Sequence, residues 1–389
     1  MKFQKMKTIP YGRQHITEED IQAVVDVLRS DFLTQGPNVE IFEKAFAAYI
    51  GCKYAVAVSN GTAALHLSVL ALGLKEGEKV ITTPITFVAT ANCIRYAGGI
   101  VDFADINPTT YLLDIEKVRE LLEESPKGTY KGIIPVDFAG RAVNMEEFRH
   151  LADEFDLWII EDACHAPGGF FIDSNNSIHN CGNGDYADLA IFSFHPVKHI
   201  ACGEGGMITT NDEKLYHKLR NLRTHGIQQI PELRQFNGGP WYYEMQELGF
   251  NYRLTDFQAA LGKSQLQKAK PGLERRKEIV GIYEKNLKGK PYITRQTGVV
   301  TGHAYHLYVV EFKARKGLIE FMRENSIFAQ IHYIPVHLMP YYRKFGWKEG
   351  DLPYAENYYN HCLSIPMYPT LTNFEQNYVI AKIDEFFNP

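Results

Sequence analysis

Short apolar segments alternate with helical patterns along much of the chain, and this alternation is the strongest constraint on its fold. Helical patterns such as 61–73 and 145–156 lie between most of the apolar segments. Strands that alternate with helices predict a mostly parallel, doubly wound α/β sheet with helices on both faces. Seven segments have the length and composition of strands and are bounded by turn residues: 53–59, 79–87, 100–106, 131–138, 157–163, 189–194 and 206–210.

The pattern changes after residue 255, which predicts a second domain. Residues 255–289 have the charged, periodic pattern of one long helix or of two helices in sequence, and a helix is predicted near 373–387. The 389-residue chain is long enough for two or three domains. We therefore predict a large α/β domain over residues 1–255 and a smaller α+β domain, with its helical connector, over 256–389.

Charge and cysteine content exclude several classes of protein. The net charge is −5 without a long run of like charge, which argues against a nucleic-acid partner. The apolar runs are too short to cross a membrane, and the N-terminus lacks the pattern of a signal peptide. The six cysteines are scattered without a CxxC pair, which indicates reduced thiols in a cytoplasmic protein and predicts no metal site.

Ligands bind at the carboxyl ends of strands in an open parallel sheet, so unusual residues at those ends are candidates for a site. Gly61 and Thr62 open a helix directly after a strand, where backbone N–H groups could bind a phosphate; a plain helix cap is the alternative. Phe87 follows another apolar strand and could stack on a flat ring, although a core position is the usual one for phenylalanine there.

Two further strand ends carry charged or hydroxyl groups. Asp162 ends an otherwise apolar strand and would need a cation or a donor if buried; a helix N-cap is its alternative role. His165 either faces the same pocket or begins a helix. Ser193 ends the next strand, and Lys198 follows before the glycine-rich turn 203–206, although a lone lysine in a loop is usually solvated.

Taken together, these strand ends predict a site for pyridoxal 5′-phosphate (PLP). A lysine can anchor the cofactor as a Schiff base and then move protons between the substrate Cα and the cofactor C4′. A carboxylate keeps the pyridine nitrogen protonated, so that the ring can accept electron density. The glycine-threonine turn and Ser193 would hold the phosphate while the amine is exchanged.

Several motifs together resemble the DegT/DnrJ/EryC1/StrS family of sugar-nucleotide aminotransferases, from about residue 10 to the C-terminus. The resemblance implies the fold-type I architecture of PLP-dependent aminotransferases and a homodimer whose active sites are built from both subunits. The motifs are "SNGTAALHL", "TPITFVATAN", "EDACHA", "SFHPVKHIACGEGGM", "RTHG" and "GFNYRLTDFQAALG".

The resemblance also implies a role for each site residue. Lys198 is similar to the Schiff-base lysine, and Asp162 to the partner of the pyridine nitrogen. Asn251 is similar to an asparagine that reaches across the dimer interface to the phosphate, whereas a turn residue before a helix is its alternative role. His165 stands where a glutamine commonly contacts the cofactor's 3′-oxygen. The phosphate ligands and the residue stacked on the ring would be Gly61, Thr62, Ser193 and Phe87.

The substrate is also implied by resemblance alone. Because Lys198 is present where some family members carry histidine and remove a sugar hydroxyl, transamination is favoured over a PLP-dependent dehydratase. Residues 31–43, 81–106, 136–140 and 332–337 are similar to the branch that makes the pseudaminic acid precursor. That branch aminates C4 of a UDP-linked 4-keto-6-deoxy-N-acetylhexosamine with L-glutamate as donor; perosamine-type and bacillosamine-type enzymes are the alternatives.

Four residues would then line the sugar-nucleotide side of the site. Their alternative is a structural role in a loop and in a strand of the small domain. They are Thr34, Gly36, His332 and Tyr333.

Overall fold

The structure is a computed structural model that describes residues 8–228, 232, 234–236 and 238–388. No helix among these residues is both long and apolar enough to cross a bilayer. The strands are β1 Ile9–Pro10, β2 Tyr54–Val58, β3 Lys79–Thr82, β4 Ile100–Phe103, β5 Tyr130–Ile134, β6 Trp158–Asp162, β7 Phe170–Ile172, β8 Ile178–Asn180, β9 Leu189–Ser193, β10 Gly206–Thr210, β11 Ile293–Gln296, β12 Tyr308–Phe312, β13 Ile327–Phe328 and β14 Cys362–Ile365.

The helices of the described residues cover both faces of the main sheet and build the small domain. Short 3-10 turns lie at Phe138–Gly140 and Val336–Leu338. The helices are α1 Glu18–Leu28, α2 Pro37–Ile50, α3 Gly61–Ala71, α4 Ala89–Tyr96, α5 Ile115–Glu123, α6 Met145–Phe155, α7 Glu213–Arg223, α8 Asp256–Gln267, α9 Ala269–Leu287, α10 Arg315–Glu324, α11 Pro340–Arg343, α12 Pro353–His361 and α13 Asn373–Phe387.

The seven predicted strands form one mostly parallel sheet, in the order β2-β10-β9-β6-β5-β3-β4, which confirms the predicted fold class. Only β10 runs antiparallel to its neighbours in this sheet. It follows β9 through the segment 194–205, which contains no helix that could carry the chain back for a parallel pairing. Two strands are shorter than predicted because Pro84 and Pro135 lie just beyond their ends and cannot donate to the ladder.

The small domain is built on a three-stranded antiparallel sheet, β11-β12-β14. Its core joins α9, α10 and α13 to this sheet through buried residues such as Ile279, Phe312, Leu318 and Ile383. The short strand β1 pairs with β13, so the N-terminal segment also joins this domain. Helix α8 instead packs on α1 and α2. The domain boundary at residues 255 and 256 stays a prediction.

The polar segment 172–186 contains part of a two-stranded hairpin, β7-β8. The turn forms because Asp173 Oδ1 accepts the N–H groups of Asn175 and Ser177, at 2.9 and 2.7 Å. Just after the hairpin, Cys181 is 2% exposed and lies beneath the main sheet. The loop after the hairpin therefore packs against one face of β6 and β9, through the contacts of Gly182 with Glu161 and Phe192, whereas residues 174–178 at the tip of the hairpin are exposed.

Candidate active site

A cavity of about 1160 Å³ lies at the carboxyl edge of the parallel strands, bordered by the small-domain segment 330–334. Parallel strands bring their carboxyl ends to one edge, which is why residues far apart in sequence meet here. Predicted site residues that line it are Gly61, Thr62, Phe87, Asp162, His165, Ser193, Lys198, His332 and Tyr333.

The N-terminus of α3 faces the cavity beside Ser193. The Asn60 side chain accepts the Ala63 N–H at 2.8 Å and caps the helix. A β-carbon on Gly61 would lie 3.0 Å from Ser193 Cβ, and one on Gly206 would lie 2.5 Å from the Asn60 carbonyl oxygen. Glycine at both positions lets the three backbone segments approach closely. The free N–H groups of the first helical turn and the Ser193 hydroxyl are thus hydrogen-bond donors of the kind that suit an anion.

Asp162 is 5% exposed and is held by two hydrogen bonds. Thr90 Oγ1 donates to Asp162 Oδ2 at 2.7 Å, and the Cys164 N–H donates to Oδ1 at 3.2 Å. Thr86 Oγ1 lies 2.8 Å from Thr90 Oγ1, and because Thr90 gives its proton to the carboxylate, Thr86 donates to Thr90. This hydroxyl chain fixes the orientation of the carboxylate. Thr90 was missed in the sequence, where it is a small residue in the first turn of α4.

Lys198 lies in the segment between β9 and β10, and its side chain reaches the cavity. The backbone N–H of Lys198 donates to the His195 carbonyl oxygen at 2.8 Å, and this hydrogen bond closes a turn. Burial lowers the pKa of the Lys198 amine, although the nearby Asp162 carboxylate opposes this shift. A lysine with a lowered pKa has a larger fraction of neutral amine, which is the form that attacks a carbonyl carbon and accepts a proton.

His165 faces the cavity as a neutral imidazole. Burial, followed by the positive charge of Lys198, holds its pKa well below the usual range. Its Nδ1 accepts the Ala139 N–H at 3.2 Å, so its proton is on Nε2. Nε2 lies 3.3 Å from the Tyr333 hydroxyl. The ring also lies 4.3 Å, between centroids, from that of His306, a cavity residue that the sequence did not single out.

Phe87 is 58% exposed, so it is a cavity residue and not a core residue. Its ring centroid lies 6.3 Å from that of Tyr333. His332, next in the small-domain wall, has its Nδ1 2.9 Å from the Ser364 hydroxyl. Burial, with the charge of Lys198, lowers the His332 pKa to about 3. This wall therefore presents neutral aromatic and polar side chains opposite Lys198.

Three predicted residues lie outside the cavity of the single chain. Asn251 is exposed and pairs with Thr224 in an isolated bridge. Thr34 pairs in the same way with Thr255, and the Gly36 N–H donates to Asp256 Oδ2 at 2.7 Å. Their roles in binding stay predictions.

The cavity residues fit the chemistry of PLP. The helix N-terminus and Ser193 suit the phosphate, and the exposed face of Phe87 suits the ring. Asp162 is placed to accept a hydrogen bond from the pyridine nitrogen because its carboxylate has acceptor sites beyond the two donors that hold it. Lys198 supplies the amine that such a cofactor requires.

Comparisons with known proteins agree with this assignment. Residues 14–384 match the model of the DegT/DnrJ/EryC1/StrS aminotransferase family. The spore coat polysaccharide biosynthesis protein SpsC of Bacillus subtilis is 39% identical over 96% of both chains. The UDP-4-amino-4,6-dideoxy-N-acetyl-beta-L-altrosamine transaminase of Campylobacter jejuni serotype O:2 is 36% identical over 95% of both chains.

Two solved structures have the same architecture. PseC of Helicobacter pylori, an aminotransferase of pseudoaminic acid biosynthesis, has a TM-score of 0.88 and 29% identity, over 98% of this chain and 100% of its own. The PLP form of Spr1654 from Streptococcus pneumoniae has a TM-score of 0.86 and 26% identity, over 97% of this chain and 98% of its own. The chain belongs to the DegT/DnrJ/EryC1/StrS aminotransferase family and is a PLP-dependent sugar aminotransferase.

Proposed function

We propose that the protein transfers the amino group of L-glutamate to C4 of a UDP-linked 4-keto-6-deoxy-N-acetylhexosamine, as a step towards pseudaminic acid. The observation that carries the proposal is the partly buried Lys198 amine, which lies in one cavity with Asp162 and the N-terminus of α3. The names of the similar proteins from Campylobacter jejuni and Helicobacter pylori support this sugar.

Bound PLP supplies an electron sink that stabilises negative charge at the carbon from which a proton is taken. Lys198 would hold the cofactor, and its neutral Nζ would take the proton from Cα of glutamate once the donor is bound. In the second half of the cycle, Lys198 returns a proton to C4 of the sugar. Asp162, which Thr90 orients by a hydrogen bond, would keep the pyridine nitrogen protonated. The two halves share one site, so ping-pong kinetics follow.

The size and the small-domain wall of the cavity suit a nucleotide sugar. Its volume of about 1160 Å³ exceeds the roughly 300–1,000 Å³ of ordinary ligand pockets, so there is room for cofactor and sugar together. His332 and Tyr333 line this wall and offer polar atoms to sugar hydroxyl groups. Thr34 and Gly36 lie outside the cavity of their own chain, so in our proposal they contact the sugar nucleotide from a second subunit.

A homodimer with shared active sites is part of the proposal. Asn251, Thr34 and Gly36 lie outside the cavity of their own chain, so their predicted roles require a second copy. Exposed apolar side chains lie beside them and at the cavity mouth: Phe32 is 53%, Leu33 50% and Phe87 58% exposed. A partner surface would remove this apolar area from water.

A cytoplasmic location is also part of the proposal. All six cysteines are free thiols, which supports this location.

Mixing two inactive variants tests the shared site. Each shared site would contain Lys198 of one subunit and Asn251 of the other. In a mixed dimer of Lys198→Ala and Asn251→Ala subunits, one site therefore has both substitutions and the other site has neither. We expect co-refolded subunits to regain about a quarter of wild-type turnover, as random pairing leaves one sound site in half of the dimers. Turnover of the mixture that equals the mean of the two separate variants would contradict a shared site.

A second candidate is amination of another nucleotide-linked 4-keto-6-deoxy sugar, of the perosamine or bacillosamine type. The 39% identity to SpsC, a relative named for spore coat polysaccharide biosynthesis, favours keeping it. A mass-spectrometric screen of UDP-, GDP- and dTDP-linked 4-keto sugars with L-glutamate identifies the nucleotide of the preferred substrate. We expect amine formation with the UDP-linked N-acetylhexosamine, with an equal amount of 2-oxoglutarate. Faster amination of a GDP- or dTDP-linked sugar would overturn the proposed substrate, and loss of water without 2-oxoglutarate would indicate a dehydratase.

A further inference from the structure

A buried acidic cluster lies on the side of β6 away from the cavity. It consists of Asp137, Glu161 and Cys181, whose side-chain oxygen and sulfur atoms lie within 4.8 Å of one another. Their exposed fractions are 0%, 3% and 2%. Glu161 directly precedes Asp162 on β6, so alternating side chains place the cluster behind the residue that faces the cavity.

Each carboxyl group is held by one backbone N–H. Asp137 Oδ1 accepts the Val143 N–H at 2.8 Å, and Glu161 Oε1 accepts the Gly182 N–H at 3.0 Å. The second oxygen of Asp137, Oδ2, is buried and receives no hydrogen bond from a protein donor in the described part of the chain. One carboxyl oxygen of Asp137 and one of Glu161 lie within 4.8 Å of each other, and a direct hydrogen bond between the two acids requires a proton on one of them.

Among the described residues, no positive charge compensates this pair. Neither acid forms a salt bridge with any residue that the structure describes. The titratable groups that face the pair are Asp162 on the same strand, Cys181 after the hairpin and Cys164 beyond β6, and none is cationic. Two ionised carboxylates without a cation are too costly to bury together. In agreement, burial raises the pKa of Asp137, and burial together with Asp137 raises the pKa of Glu161.

We propose that Asp137 and Glu161 share a proton at neutral pH, and that this proton ties the end of β5 to β6 and to the loop after β8, so that the pair positions Asp162. The backbone connects the two sites directly. The Asp137 N–H donates to the Asp162 carbonyl oxygen at 3.1 Å, and the Asp162 N–H donates to the Pro135 carbonyl oxygen at 2.9 Å. Repulsion between two ionised acids would press on the strand end that carries Asp162. Only this functional consequence rests on the proposed role of Asp162; the shared proton does not.

Glu161→Gln is the matched variant for the test. The glutamine oxygen can keep the Gly182 contact, and its amide can donate to Asp137 without a titrating proton. While Asp137 is ionised, the variant therefore has the single negative charge of the shared-proton state. Glu76→Gln, at an exposed site in the same domain, is the control.

The measurement is urea unfolding of the PLP-loaded protein between about pH 5 and pH 9. Carboxyl groups of the unfolded chain ionise at about pH 4. In the folded state, the raised pKa of Asp137 keeps the shared proton bound to a higher pH. Between these two pKa values the folded state binds more protons than the unfolded state. The free energy of unfolding therefore falls as the pH rises through this range. We expect the unfolding constant of the wild type, relative to Glu161→Gln, to rise by up to about tenfold per pH unit until the pair has ionised. Cofactor affinity should fall with pH in the wild type relative to the variant.

Three outcomes would overturn the proposal. The first is equal pH dependence of unfolding in the wild type and Glu161→Gln, with Asp137→Asn repeating the test from the other acid. The second is failure of both amide variants to fold, because each preserves a hydrogen bond across the pair. The third is one tightly bound metal ion per chain by native mass spectrometry, whose removal by EDTA destabilises the protein. None of these readouts uses turnover, so an error in the proposed sugar substrate would leave them unchanged.

Discussion

Lys198→Ala is expected to abolish amine transfer and the covalent retention of PLP. The variant loses the only lysine that lines the cavity of the described residues, and with it both the anchor and the proton carrier. We expect turnover to fall by at least about 10⁴-fold, the upper end of what a positioned proton-transfer group supplies. Product formation by mass spectrometry and the cofactor absorbance that remains after gel filtration measure the two effects separately.

Lys44→Ala is the matched control for this variant. Lys44 lies on α2 of the same domain, its side chain is 76% exposed, and its ion pair with Glu40 is solvated. Such pairs contribute little to stability, so this variant should keep wild-type turnover and absorbance. If Lys198→Ala retained both turnover and the cofactor absorbance, Lys198 would not be the reactive lysine and the mechanism would have to be abandoned.

Asp162→Asn is expected to cause the second largest loss, a fall in turnover of about 10²–10⁴-fold. The amide has a similar shape but cannot keep the pyridine nitrogen protonated, so the ring becomes a weaker electron sink.

Thr90→Val should have a smaller effect on turnover than Asp162→Asn. It removes one hydrogen bond to a charged group, worth about 1.5–3 kcal/mol, or roughly 10- to 150-fold in rate.

The graded order of these variants is the informative result. Thr90→Ser keeps the hydroxyl donor and should recover most of the activity, and the exposed Asp153→Asn should be neutral. Turnover with glutamate and keto sugar, together with the cofactor dissociation constant, gives the comparison. A Thr90→Val protein with wild-type kinetics would show that the hydroxyl chain does not support Asp162.

Much of the site could be predicted because it lies at strand ends. Gly61, Asp162 and Ser193 each follow or end an apolar run, and parallel strands bring such ends to one edge. Thr90 could not be predicted, because a threonine in the first turn of a helix is common and its partner is 72 residues away. The shared proton of Asp137 and Glu161 was equally hidden, because neither acid differs in sequence from an ordinary strand-end residue.

The sequence by itself determined the strands, the alternating helices and the order in which phosphate-binding, acidic and lysine-bearing loops follow one another. These features depend on local periodicity and on residue type, which a single chain displays directly. Only the tertiary structure decided the antiparallel direction of β10, the tautomer of His165, the exposure of Phe87 and the acid pair behind Asp162. Each of these depends on contacts between distant segments, and in a packed interior such contacts set hydrogen bonding, burial and charge.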